Sequence, residues 1–75
     1  MAKRKLVAND YSIGESMKVI REWSGMTQEE FAKEFNTTKN TLSKRENDKR
    51  QIYFHTVLDY CNKTGVKIIF EKEDK

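Results

Sequence analysis

The sequence predicts a mainly α-helical domain of four short helices followed by one C-terminal β-strand. Three observations carry that expectation. A chain of 75 residues is too short to enclose two apolar cores, so it forms one folding unit. Apolar residues recur at helical intervals behind side chains suited to start helices, with glycines where helices would end. After Gly65 the apolar pattern changes to a period of two, which is that of a strand.

The elements follow in order. Ser12 and Glu15 have the spacing of a capping box, and Ile13, Met17, Ile20 and Trp23 then share one face until Gly25, giving a helix over 12–24. Thr27 and Glu30 repeat the box, and Phe31, Ala32 and Phe35 make a short stripe ending at Asn36, a residue that tolerates left-handed backbone; this is a second helix, 28–35. Thr38 caps a third helix over 39–47, in which Leu42 is the one clearly apolar residue. A fourth helix spans 51–63, with Phe54, Val57, Leu58 and Cys61 on its apolar face and Gly65 at its C-terminal cap. Val66, Ile68 and Phe70 then define a strand over 66–71, ahead of a polar end. A lone strand needs a partner for its backbone groups. The candidates are the arm around Leu6 to Ala8, the same strand of a second copy, or another protein; twofold pairing with a second copy is the economical solution. A frayed end or a continuation of the fourth helix is the alternative.

Composition removes several classes of function. Hydrophobic and charged residues each make up 36% of the chain, too apolar for a disordered tail and too polar for a comfortable monomer, so a partner is expected. No apolar run approaches the roughly 18 residues that span a bilayer, and the start Met1-Ala2-Lys3-Arg4-Lys5 lacks a secretory apolar stretch, so a cytoplasmic location is expected. A lone cysteine, Cys61, leaves no internal disulfide and no common zinc site, and no metal or other cofactor is expected. His55 and Cys61 stand six residues apart on the fourth helix, about 120° around its axis, so they form no nucleophile and base pair. Cys61, Trp23, Phe31 and Phe35 read as packing residues and His55 as a surface one. No enzymatic constellation emerges.

The formal charge is +3, and its distribution matters more than its sum. Residues 12–38 are net acidic, whereas Lys39, Lys44, Arg45, Lys49 and Arg50 against Glu46 and Asp48 make 39–50 strongly basic. Lys3, Arg4 and Lys5 form a second basic cluster in an arm, 1–11, expected to be flexible, the alternative being a DNA contact in the minor groove or on phosphates. Three units result: the arm 1–11, a helical domain 12–64, and the strand with its polar tail, 65–75. Within the helical domain, two short capped helices joined by Asn36 and Thr37 form a helix-turn-helix. Leu42 anchors the third helix, leaving Lys39, Asn40, Thr41 and Lys44 to project together into a DNA major groove, where lysine donates to guanine and asparagine pairs with adenine. Helix starts at Gln28 and Lys39 offer backbone N–H groups to phosphates.

The segment MKVIREWSGMTQEEFAKEFNTTKNTLSKREND resembles the phage-repressor and Xre/Cro class of bacterial helix-turn-helix regulators, over about residues 12–64. The matching positions are Arg21, the Gly25 turn, the run from Thr27 to Ala32, and Thr38, Leu42, Ser43, Glu46 and Asn47. The resemblance implies a lambda-repressor-like four-helix fold that binds double-stranded DNA, in which Lys39, Asn40, Thr41 and Lys44 read bases. Gln28, Thr38, Asn47, Lys49 and Arg50 would hold the phosphate backbone, and Arg21 with Glu46 would form an internal ion pair between the first and third helices. The chain departs from the class at Arg45, where an apolar or aromatic residue is usual, at Asp48 and at Asn36, where glycine is common. Asn36 and Asp48 accept left-handed geometry. Arg45 is expected to lay its stem on Ile20 or Phe54 and to direct its guanidinium to DNA, or the third helix to be rotated. Four helices followed by GVKIIFEKED are similar to the HipB-type antitoxins, whose C-terminal strand pairs across a twofold axis. That likeness implies a homodimer joined through Val66, Ile68 and Phe70, and a toxin as a possible protein partner. The function expected is a homodimeric repressor on an inverted-repeat operator; the alternative is an antitoxin-like interaction module that autoregulates its operon.

Overall fold

A computed structural model of the chain describes residues 4–74 and contains four α-helices: α1 (Ile13–Ser24), α2 (Gln28–Glu34), α3 (Lys39–Glu46) and α4 (Phe54–Thr64). Lys3 of the expected basic arm lies outside the described residues. Both capping boxes form: the Ser12 and Thr27 hydroxyls accept from the backbone N–H of Glu15 and Glu30, whose carboxylates accept the N–H of the capping residue in return. Thr38 caps α3 by accepting from Thr41 N–H. Gly25 and Gly65 close α1 and α4 in the left-handed region, at φ of 78° and 77°. Asn36 and Asp48 adopt the same region at φ of 51° and 58°, where their short polar side chains are tolerated.

Met17 and Ile20 from α1, Phe31 and Ala32 from α2, Leu42 from α3, and Tyr60 and Cys61 from α4 form the core. Phe31, Phe35 and Tyr60 make an aromatic cluster with ring centroids 4.7–4.9 Å apart. α1 packs against both α3 and α4, while α2 supports α3 from the other side.

The fourth helix, the arm and the tail differ from expectation. The fourth helix starts at Phe54 rather than 51, because Ile52 turns inward against the core and 51–53 stay extended. Its buried face is also shifted: Phe54 and Leu58 are exposed, while Val57, Tyr60, Cys61 and Thr64 carry the inward i, i+3, i+4, i+7 spacing. Within the arm, Ala8–Asp10 forms a 3-10 turn closed by Asp10 N–H on the Val7 carbonyl.

The expected strand is absent among the described residues. Val66 N–H donates to the Cys61 carbonyl and its side chain packs on the core, but 66–74 form no ladder. Ile68 is 36% and Phe70 85% exposed, so they do not line a buried face. A strand exists only with a neighbouring strand, and one copy of this chain supplies none.

Candidate nucleic-acid interface

α3 is short, polar and anchored at few points. Leu42 is fully buried and Glu46 is the one buried charged residue among those described; both project inward, four residues apart. Asn40 and Lys44 each lie two residues from Leu42, about 200° around the helix axis, and so face away from the core. Lys39, Asn40 and Lys44 are exposed and Thr41 is half-buried, its hydroxyl 3.1 Å from that of Thr38. Asn40 and Lys44 therefore share the outer side of α3, Thr41 lies on its flank, and Lys39, three residues before Leu42, is exposed at the helix start on the side nearer the core.

Glu46 fixes the orientation of that helix. Its carboxylate accepts from Arg21 Nε at 2.7 Å and Nη2 at 3.2 Å, and from Gln28 Nε2 at 3.0 Å. Arg21 Nη1 donates to the Met26 carbonyl at 2.9 Å. One carboxylate thus joins α1, the start of α2 and the last turn of α3. The bidentate bond to Glu46 raises the Arg21 pKa against the opposing effect of burial. Removing one partner from such a pair leaves a buried charge and costs about 3–5 kcal/mol. Gln28 gives one amide hydrogen to Glu46, which directs its terminal amide toward that buried carboxylate and leaves its second amide hydrogen and its Oε1 to other partners. Together with Arg21, Thr27, Glu29 and Lys39 it lines a shallow notch between the starts of α2 and α3.

At the other end of α3, Asn47 Nδ2 donates to the Ser43 carbonyl at 2.8 Å, which places its amide on the helix it caps. Lys49 and Arg50 are exposed just beyond. Arg45 departs from its expected direction: its Nη1 donates to the Tyr60 hydroxyl at 3.3 Å rather than pointing outward. Tyr60 is 1% exposed, and its phenol needs a buried partner. Burial pushes the Tyr60 pKa up, an effect the Arg45 charge partly offsets.

A second junction escaped the sequence reading. Asp48 Oδ1 accepts from Gly14 N–H at 2.8 Å and Oδ2 accepts from the Ser12 hydroxyl at 2.6 Å, so the residue after the third helix caps the first. Ser12 alone was legible as a cap. The signal for Asp48 is a carboxylate at a left-handed position, which has no periodicity to reveal it.

Three packed helices that hold a short polar helix at the surface, beside a cluster of cations, have the form of a helix-turn-helix domain. The helix-turn-helix family matches residues 17–70, more than two thirds of the chain, and the chain belongs to that family in its Xre/Cro-like form. That family is one of DNA-binding transcription-regulator domains. No characterised protein and no solved structure matches the chain. No helix among the described residues is long and apolar enough to cross a membrane, and no three His, Cys, Asp or Glu side chains there are grouped to hold a metal.

Proposed function

We propose that the chain is a repressor that binds an inverted-repeat operator as a homodimer, each copy laying α3 in the major groove of one half-site. Lys39, Asn40, Thr41 and Lys44 read base edges. Gln28, Thr38, Lys49 and Arg50 hold the flanking phosphates, and Asn47 joins them once its amide is released from Ser43. The observation that carries this reading is the outward polar face of α3 held by the buried Leu42 and Glu46. Half-site centres stand about one helical turn apart in a dimer of this kind.

Exposed apolar side chains at Phe54, Ile69 and Phe70 support a second reading, an antitoxin-like module that captures a toxin. Paired Lys39→Ala and Lys44→Ala substitutions separate the two. Duplexes selected from a random pool by the parent chain should lose about a hundredfold or more in affinity for the variant under the repressor reading. Undiminished binding to those duplexes rejects base reading by α3. An interaction module keeps its partner complex through the same substitutions.

A further inference from the structure

The two ends of the chain line one groove. Its lining includes Leu6 and Val7 from the arm, Trp23 from α1 and Ile68 to Phe70 from the tail, and its most buried lining residues are Ile20 and Cys61. Arg4 and Lys5 stand on the arm at this groove, and Glu71 stands on the tail, followed in sequence by Lys72, Glu73, Asp74 and Lys75. The arm is thus basic, and beyond Phe70 three acids outnumber two lysines. No ion pair or backbone hydrogen bond joins arm to tail within the chain among the described residues.

The chain also exposes too much surface for a compact monomer. It presents 6234 Å² to solvent, whereas a monomer of 8.9 kDa exposes about 4800 Å². The excess, about 1400 Å², is larger than the roughly 800 Å² each partner contributes to a standard interface. Ile69 and Phe70, 73% and 85% exposed, remain wet while the tail lies on its own chain.

We propose that the basic arm of one copy docks on the acidic tail of a second copy, so that each dimer contains two arm-to-tail contacts and the groove of each chain receives the partner's tail. This deepens the homodimer reading and rests on it. The arm then belongs to the dimer interface rather than to the DNA contact. Charge complementarity fixes the register, because the tail's acidic end must lie beside Arg4 and Lys5. Twofold symmetry makes both contacts at once.

The test uses two variants of the full chain, one Arg4→Glu with Lys5→Glu, the other Glu71→Lys with Glu73→Lys. All four positions are exposed, and circular dichroism checks that both variants remain folded. Each variant alone should dimerise about tenfold or more weakly than the parent in sedimentation equilibrium, and an equimolar mixture should recover the parent's affinity to within about threefold. Recovery on mixing requires an arm from one copy and a tail from the other. A mixture as weak as its components overturns the proposal, as does a variant pair that dimerises like the parent; the homodimer reading survives both results. Loss of DNA affinity by the arm variant with its dimerisation intact assigns the arm to DNA and overturns the proposal. A parent chain that is monomeric at about 100 μM overturns the proposal and the homodimer together.

Discussion

At Gly14 the backbone of α1 passes the end of α3 with no space for a side chain. A Cβ there would sit 2.6 Å from Asp48 Oδ1 and 2.8 Å from the Glu46 carbonyl, and closer still to the carbonyl of Arg45. Two of these neighbours are backbone in the last turn of α3, and the third is the carboxylate capping α1, so none can retreat cheaply. Gly14→Ala should therefore lower stability by about 2–3 kcal/mol in urea denaturation. Gly25→Ala meets nothing within 4 Å and costs only its left-handed backbone at φ 78°, about 1 kcal/mol. Equal midpoints for the two variants would reject the close approach. Gly25, Asn36 and Asp48 were legible in the sequence because left-handed positions select residue types that can adopt them. Gly14 was not, because its requirement comes from Arg45, Glu46 and Asp48, the last of them 34 residues away in the chain.

At the scale of the element, α4 shows what a periodicity can and cannot say. Phe54, Val57, Leu58 and Cys61 satisfy helical spacing, and so do Val57, Tyr60, Cys61 and Thr64. Hydrophobicity favours the first set, but the chain buries the second, because Phe31 and Phe35 present an aromatic slot that Tyr60 fills and Arg45 supplies the phenol's partner. Tertiary context selected the face. This choice has a pH consequence, since burial raises the pKa values of both Tyr60 and Cys61. On raising pH the unfolded chain ionises these groups first and holds fewer protons than the folded chain. Stability is therefore full below the ordinary thiol and phenol values and falls as pH climbs through about 9 to 10. Thermal unfolding followed by circular dichroism should show this alkaline loss, and a double variant with Tyr60→Phe and Cys61→Ala should lose less over the same interval despite a lower midpoint at neutral pH. Parallel losses in parent and variant would place the alkaline sensitivity elsewhere.

For the whole molecule, the compact body and the two ends obey different physics. The four helices were readable because caps, stripes and stops are local, and the hub at Glu46 was readable only through the resemblance to a known class, since no spacing links residue 21 to residue 46. The tail's alternation pointed to a strand, but a ladder is a property of two segments, so a single copy shows none at 66–74. In the proposed homodimer, pairing through that tail would make DNA binding depend on residues that touch no DNA. Two half-sites engaged together gain from effective concentration, whereas a single α3 contacts one half-site alone. Truncation after Gly65 should yield a monomer in sedimentation and weaken operator binding by about a hundredfold or more. It should also roughly halve the slope of log affinity against log salt, because half as many phosphates are neutralised in each binding event. Truncation removes Val66 from the core, so Ile68→Asp with Phe70→Asp provides a second route: both side chains are exposed in the single chain, and the helical body keeps its packing. Either variant sedimenting as a dimer, with the parent's operator affinity and salt slope, would remove the tail from the dimer interface and place that interface elsewhere on the chain.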